Sequence, residues 1–233
     1  MGFGGTGTHI LTYLKVLAVQ KYGEAPDFIK FLEFDTIADW RPGKTVQIVG
    51  QGAEEIPKGV EDIQLDPKRE YFYLGDRKPT LADFVYDVLQ PGGQMEMYPH
   101  LTSWFHAEWF WQGVAKAALD VAGGAAQQRQ IGRFVMFQNH GDIVSRIQGH
   151  LQTLDKLADG TDVQVWIVGS TVGGTGAGCM LDAAYLTRLA AQRVGINKLR
   201  LSGVFVLPDV YSGVTGISPA RAYAMFRELR RVQ

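Results

Sequence analysis

The sequence lacks several features that define well-known classes of protein. Its only cysteine, Cys179, cannot form an internal disulfide, which favours a reducing, cytoplasmic setting. No apolar run reaches the roughly 18 residues that a membrane-spanning helix needs, and the glycine- and threonine-rich N-terminus does not fit a signal peptide. Basic and acidic residues nearly cancel, 23 against 24, so the basic excess typical of nucleic-acid-binding proteins is missing.

Common catalytic and metal-binding motifs are also missing. The five histidines have no H-E-x-x-H or comparable spacing, so no zinc site is predicted, and no G-x-S-x-G elbow is present for a serine hydrolase. The segment Ala38–Thr45 ends like a Walker A loop, but strand-like residues follow it where that motif needs a helix. A simple turn is the better interpretation of this segment.

Strands and helices alternate along the chain, and this alternation predicts an α/β fold. A Rossmann-like parallel sheet with helices on both faces is expected. The predicted strands are Phe28–Phe34, Val163–Val168 and Leu201–Leu207. Helices are predicted at Thr8–Gln20, at Ala177–Arg193 and from about Ser218-Pro219, and the first of them has Ile10, Leu14 and Leu17 on one face. A further, amphipathic helix is marked by the spacing of Ile143, Ile147, Leu151, Leu154 and Leu157.

The stretch from about 40 to 100 is less regular and is interpreted as an insertion in a single, partial domain spanning 1–233. A short strand at Thr45–Val49 and a short helix near Leu81–Leu89 are expected within it. Trp104–Val121 is an aromatic-rich segment of helical character. Its aromatic residues fit either the core of the insertion or an interface with a partner.

A first glycine loop opens the chain. Gly2, Gly4 and Gly7 satisfy the pattern G-x-G-x-x-G, in which glycines permit a tight turn and let backbone N–H groups approach a phosphate. Such a loop normally follows a strand, so we infer that the first strand is missing from the chain. Close helix–strand packing is the alternative reason for these glycines.

A second glycine loop gives the sharper signal. The residues Gly169-Ser170-Thr171-Val172-Gly173-Gly174-Thr175-Gly176-Ala177-Gly178 follow a buried strand and open a helix. Successive N–H groups in such a loop form an anion-binding nest, and Thr175 adds a hydroxyl. Two such loops in one sheet suit a triphosphate held from both sides. Cys179, next to the loop, is either a thiol activated by the helix N-terminus or a buried small residue.

Four segments together carry a resemblance to the tubulin/FtsZ GTPase superfamily, and in particular to its prokaryotic tubulin-like proteins. Gly173–Gly178 resembles the signature G-G-G-T-G-[ST]-G, with Val172 for the first glycine and Ala177 for Ser/Thr. Gly124–Arg133 is similar to the FtsZ stretch G-A-N-P-E-V-G-R. The segment Phe31–Thr36 resembles the second strand of the family, and Phe205–Gly213 corresponds to its ribose-contacting loop, although the family pattern F-x-x-E-G is not present.

The resemblance implies which residues hold GTP or GDP and Mg²⁺. The two glycine loops and the segment Gly124–Arg133 would bind the phosphates. Asp35 would belong to the metal site, and the segment Pro208–Thr215 would approach the ribose. The implied phosphate-binding residues are Gly4, Gly5, Thr6, Ala125, Ala126, Gly173, Gly174, Thr175 and Gly176.

The resemblance implies GTP binding and, for a full-length protein, a filament-forming GTPase with head-to-tail assembly. The base-reading Asn and the acidic catalytic loop of the family would lie beyond Gln233, so hydrolysis by the chain as given is not expected. Two alternatives stay open. The pattern Gly2-x-Gly4-x-x-Gly7 with Glu33 or Asp35 also fits an NAD(P)- or FAD-binding oxidoreductase, and the signature substitutions also fit a tubulin-like interaction module without catalysis.

Overall fold

A computed structural model describes residues 1–38, 45–48, 52–55, 63–77, 80–88, 95–106, 124–125, 127–213 and 217–231. Its strands are β1 (Gly2–Phe3), β2 (Glu33–Asp35), β3 (Thr45–Ile48), β4 (Gly52–Glu55), β5 (Tyr71–Tyr73), β6 (Val163–Ser170) and β7 (Leu199–Val206). Five of them form one parallel sheet in the order β5-β2-β1-β6-β7, and β3 pairs with β4 in an antiparallel hairpin. The predicted α/β architecture is confirmed.

Helices occupy the connections between these strands. The α-helices are α1 (Gly4–Tyr22), α2 (Leu81–Asp83), α3 (Pro99–Thr102), α4 (Arg129–Gln138), α5 (His140–Ala158), α6 (Gly174–Arg193) and α7 (Pro219–Arg231). A π-helix (Phe84–Val88) continues α2, and 3₁₀ turns lie at Met95–Met97 and Pro208–Tyr211. Pro219 occupies the first position of α7, as predicted, where a missing N–H has no consequence.

The prediction that the chain lacks the first strand is wrong. Gly2 and Phe3 form β1, which pairs with Glu33 and Phe34 of β2 on one side and with β6 on the other. Two residues are too few to show a strand period in the sequence, so only the pairing with both neighbours identifies them. β1 is the central strand of the sheet.

Two further boundaries differ from the prediction. The strand expected at Phe28–Phe34 begins only at Glu33 and extends to Asp35. The irregular insertion is shorter than predicted, because Tyr71–Tyr73 inside it pairs with β2 and forms the edge of the main sheet. The expected strand at Thr45–Val49 is present as β3, and the helix near Leu81–Leu89 is present as α2 with its π-helical continuation.

The apolar core lies between the sheet and helices α4, α5 and α6. Phe3 and Phe34 stack in its centre with ring centroids 5.5 Å apart, and Phe134 of α4 is fully buried there. The amphipathic face of α5 is confirmed at Ile143, Ile147 and Leu151, which are buried, but not at Leu157, which is 51% exposed near the end of the helix. Hydrophobic burial of this kind contributes about 25 cal/mol per Å².

The predicted buried face of α1 is wrong. Leu14 and Leu17 are 45% and 43% exposed, whereas Leu11 and Val16 are buried. Apolar residues occur all round this helix, so their spacing does not single out one face. The helix predicted in the aromatic-rich segment Trp104–Val121 stays a prediction, because residues 107–123 lie outside the described part of the chain. None of the described helices is long and apolar enough to cross a membrane.

Candidate functional site

The two glycine loops meet at the carboxyl edge of the sheet. β1 and β6 are adjacent and parallel, with Phe3 opposite Gly169, so the loops that follow them leave the sheet side by side. A Cβ atom added to Gly4 would lie 3.2 Å from Thr175 Cβ and 3.3 Å from Gly176 N. Gly4 also has φ of +72°, a conformation that favours glycine. The chain turns from β1 towards β2 and from β6 towards β7, so this contact is the topological switch point of the sheet, where open α/β folds bind ligands.

Helices α1 and α6 both begin at this contact, and neither has a side-chain cap. Their N-cap residues, Phe3 and Gly173, make no side-chain hydrogen bond, and the first turn of each helix contains no acidic residue. The first N–H groups of a helix have no acceptor within that helix and carry the positive end of its dipole. Two uncapped helix ends therefore direct backbone donors to one region, which is the physical basis of an anion site.

Exposure separates the loop residues into two groups. Gly5, Thr6 and Gly173 are partly exposed, whereas Gly174 and Gly176 are buried. A Cβ on Gly176 would lie 2.8 Å from Ser170 O, so this glycine serves close packing of α6 on β6. Among the described residues, a Cβ on Gly173 would have only Ser170 Cβ, at 4.0 Å, as a near neighbour. Space for a ligand is therefore adjacent to Gly173.

The segment Gly124–Ala125 lies against the second glycine loop. A Cβ on Gly174 would lie 2.8 Å from both Ala125 Cβ and Ala125 O. The N–H of Ala125 donates to Thr36 Oγ1 at 2.9 Å, so this amide already has an acceptor. Ala126, the other residue predicted here, lies outside the described residues. Three of the segments that the sequence singled out are thus adjacent in space.

Asp35 and Thr36 end β2 beside this junction. Thr36 Oγ1 is 2.8 Å from Thr175 Oγ1, and Asp35 Oδ1 accepts a hydrogen bond of 2.7 Å from the N–H of Thr36 and one of 3.4 Å from Thr175 Oγ1. Asp35 is 1% exposed. Burial raises the pKa of its carboxyl from 3.8 to about 6, partly offset by these hydrogen bonds.

Asp35 fits a cation site in one specific respect. Its second oxygen, Oδ2, is buried and has no hydrogen-bond partner in the described part of the chain. Such an orphaned carboxylate oxygen is costly unless a cation or water satisfies it. The structure, as far as it is described, contains no group of three or more His, Cys, Asp or Glu side chains that could hold a metal by themselves. Mg²⁺ typically needs only one or two carboxylates when substrate phosphates complete its coordination, so the residues present fit it.

Glu33 lies beneath the first glycine turn. A Cβ on Gly2 would overlap its carboxyl group, and a Cβ on Gly7 would lie 2.9 Å from Glu33 Oε2. Glu33 is fully buried, and burial, followed by the neighbouring charge of Asp35, raises its pKa well above the usual value. Gly2 and Gly7 are therefore glycines because the turn must pack on Glu33, the alternative given above for this motif.

Tyr211 connects the first loop to the segment after β7. Its Oη is 2.5 Å from Thr6 Oγ1, although the two residues are 205 positions apart in the sequence. The sequence located this segment only through its resemblance to a ribose loop, and neither Tyr211 nor Thr36 was singled out as a site residue. Their partners are remote in the sequence, so no local pattern could have identified them.

Cys179 is fully buried, and its Sγ lies 3.2 Å from Gly132 O. Burial raises the pKa of the thiol well above its usual value, so the interpretation as a buried small residue is correct and the activated thiol is not. We expect alkylation of the folded protein to be at least about 100-fold slower than alkylation in denaturant, because the thiol reacts only after local opening. Mass spectrometry after timed iodoacetamide treatment measures this, and stoichiometric labelling of the folded protein within minutes would contradict it.

An apolar cleft of about 600 Å³ lies elsewhere, at the amino ends of β1 and β6. Phe28, Leu154 and Trp166 are among the residues that line it, and it contains none of the site residues predicted from the sequence. Most of the Walker-like segment, from residue 39 to residue 44, lies outside the described residues. The junction of the glycine loops remains the candidate site, because the cleft lies at the opposite, amino end of the strands.

Comparison with known proteins agrees with the fold. No curated protein matches the chain, and no solved structure matches it. A family model described as "Tubulin like" matches residues 1–233, the full length of the sequence. The protein therefore belongs to the tubulin-like family.

Proposed function

We propose that this protein binds a purine nucleoside triphosphate, GTP, together with Mg²⁺, through backbone groups of its two glycine loops. The observation that carries the proposal is the contact of Gly4 with Thr175 and Gly176, which brings the uncapped N-termini of α1 and α6 together. One helix N-terminus contributes only about 0.3–1 kcal/mol per charge at an exposed site. Two helix ends and their free N–H groups acting on one polyphosphate give a stronger and more specific site.

The first loop and the second loop have different roles in this proposal. Gly5, Thr6 and Gly173 are partly exposed and offer the accessible donors. Thr6 is held by Tyr211 at the β7 side of the site. Gly174 and Gly176 let α6 pack closely on Ala125 and Ser170. This packing orients the free amides at the start of the helix towards the ligand. The N–H of Ala125 donates to Thr36, so Ala125 acts through packing rather than as a free phosphate donor.

Asp35 is the proposed cation ligand. Its Oδ2 is the buried oxygen without a described partner, and the hydroxyl of Thr175 lies beside its other oxygen. Bound Mg²⁺ would neutralise charge on the terminal phosphates, which is the usual contribution of a metal in phosphoryl chemistry. Asp35, in turn, would fix the cation at the end of β2.

The alternative of a dinucleotide-binding oxidoreductase has less support. In that fold an acidic side chain at the end of the second strand hydrogen-bonds the ribose. Asp35 is buried and engaged by Thr36 and Thr175, and Glu33 is buried beneath the glycine turn. Glu33 is therefore not presented to a ribose, and the unpartnered Oδ2 of Asp35 is assigned to the cation in this proposal. Membership of the tubulin-like family supports GTP over ATP as the ligand, and hydrolysis and head-to-tail assembly stay predictions from the resemblance.

A thermal shift experiment tests the proposal. With ligand at 100 times its Kd, binding stabilises a protein by about 2.7 kcal/mol, so a GTP analogue with Mg²⁺ should raise the melting temperature by about 5–10 °C. ATP, NAD⁺ and FAD serve as competing ligands. No shift with any purine nucleotide would overturn the proposal and favour the interaction module without nucleotide binding.

Asp35→Asn separates the cation site from the phosphate site. The variant should still bind GTP in EDTA as wild type does, but should lose the gain in affinity that Mg²⁺ gives wild type, because the anionic oxygen is replaced by an amide. Asp155→Asn, at an exposed position on α5, is the matched control. Isothermal titration with and without Mg²⁺ measures both variants, and an unchanged Mg²⁺ effect in Asp35→Asn would contradict the assignment.

A further inference from the structure

The hydroxyl of Thr36 joins three segments that are far apart in the sequence. Thr36 directly follows β2, and its hydroxyl lies 2.8 Å from Thr175 Oγ1 of the second glycine loop and accepts the N–H of Ala125 at 2.9 Å. Thr36 is 1% exposed, so water does not compete for these contacts. The hydroxyl of Thr36 thus links Ala125 to the second glycine loop, in addition to the direct packing of Gly174 on Ala125.

The hydrogen bonds of this cluster have a defined direction when Asp35 is ionised. A carboxylate only accepts, so the single proton of the Thr175 hydroxyl is donated to Asp35. Thr175 Oγ1 then accepts the proton of Thr36 Oγ1, which itself accepts the N–H of Ala125. The donors therefore run from Ala125 through Thr36 and Thr175 to Asp35. Removing Thr36 Oγ1 interrupts this chain in the middle.

The position of the cluster indicates which end of the ligand it affects. Asp35, the proposed cation ligand, lies on the β2 side of the glycine loops, whereas the Thr6–Tyr211 contact lies on the β7 side. A cation on a nucleoside triphosphate sits between the last phosphates. The terminal, metal-bearing end of the polyphosphate therefore lies next to Thr36.

We propose that Thr36 is a positioning residue. It holds the segment Gly124–Ala125 at the distance from the second glycine loop that the terminal phosphate requires, and the site thereby discriminates a triphosphate from a diphosphate. This inference rests on the proposed nucleotide binding and names a determinant of it. Thr36 contacts neither phosphate nor cation in this role. It acts through the backbone of Ala125 and the hydroxyl of Thr175.

The matched variants Thr36→Val and Thr36→Ser test this role by affinity. Valine keeps the shape and removes the hydroxyl, so Ala125 loses the acceptor that positions its segment. The affinity for Mg²⁺ and a non-hydrolysable GTP analogue should then fall about 10-fold or more, which is about 1.4 kcal/mol. The affinity for GDP in EDTA should change less than about 2-fold, because GDP lacks the terminal phosphate next to Thr36 and residues that do not share contacts affect each other little. Serine keeps the hydroxyl and should restore the triphosphate affinity. Equal losses for both nucleotides, or a serine variant as weak as the valine variant, would overturn the proposal.

Hydrogen exchange of the Ala125 amide tests the same contact without nucleotide. In Thr36→Val the exchange rate of this amide should rise about 10-fold or more over wild type, since its acceptor is gone, while Thr36→Ser should exchange as wild type does. An unchanged rate in Thr36→Val would overturn the contact itself. Failure of wild type to bind any nucleotide would instead overturn the proposed function and this role with it, and the exchange result tells the two failures apart.

Discussion

Gly173→Ala is expected to weaken nucleotide binding about 10- to 100-fold while the protein stays folded. Gly173 is the N-cap residue of α6, with φ of −74° and ψ of 154°, angles that alanine adopts without strain. Of the residues that the structure describes, a Cβ at this position meets only Ser170 Cβ, at 4.0 Å, so these residues leave room for it in the unliganded protein. Overpacking a tight contact costs about 1–3 kcal/mol, which corresponds to the expected range if phosphate lies against this residue.

The control for this variant is Gly149→Ala on α5. A Cβ on Gly149 meets no atom within 4 Å in the part of the chain that the structure describes, and the residue is exposed. This substitution should leave binding unchanged and stabilise the helix by up to about 1 kcal/mol. Isothermal titration gives the affinities, and circular dichroism checks the fold. Wild-type affinity in Gly173→Ala would show that no ligand approaches the open space beside α6.

Gly132→Ala is expected to destabilise the fold itself by about 2–3 kcal/mol. A Cβ on Gly132 would overlap Gly174 O, and it would lie 2.8 Å from Gly174 C and 2.9 Å from Thr175 Cα. All three atoms belong to the backbone, so no side chain can rotate away and α4 must move from α6. The melting temperature should fall by about 4–10 °C, and nucleotide affinity should fall as well because Gly174 is displaced.

Gly141→Ala, near the start of α5, is the matched control for this second variant. No atom of the described residues lies within 4 Å of a Cβ at Gly141, so the free energy of unfolding of this variant should stay within about 0.5 kcal/mol of wild type or rise. Urea unfolding measures both variants. An unchanged midpoint in Gly132→Ala would mean that α4 and α6 are not in contact through the backbone of the second glycine loop.

The long elements of the fold were predictable because their residues repeat a pattern over many positions. β6 continues two residues past its predicted end, and the buried face of α5 includes Ile143 and Ile147 as expected. β1 was missed because two residues cannot repeat a pattern. The orientation of α1 was missed because Leu14 is as apolar as Leu11, although only Leu11 is buried.

The candidate site was predictable only where a glycine pattern marks it. Gly4 and Thr175 stand in such patterns, and the structure brings them into contact. Thr36 contacts Thr175, 139 positions away, and Tyr211 contacts Thr6, 205 positions away. The pairing of β2 and β7 with their neighbours in the sheet brings these residues together. Contacts of that kind depend on strand order, which the residues around Thr36 or Tyr211 do not encode locally.

The most direct test of the account is a titration of the isotope-labelled protein with Mg²⁺ and a non-hydrolysable GTP analogue, followed through its backbone amide resonances. If both helix N-termini hold one polyphosphate, the amides of Gly5 in α1 and Gly173 at the N-cap of α6 will shift together and fit one dissociation constant. If only one of these amides responds, or the two fit different constants, the loops do not share a ligand and the central claim is wrong.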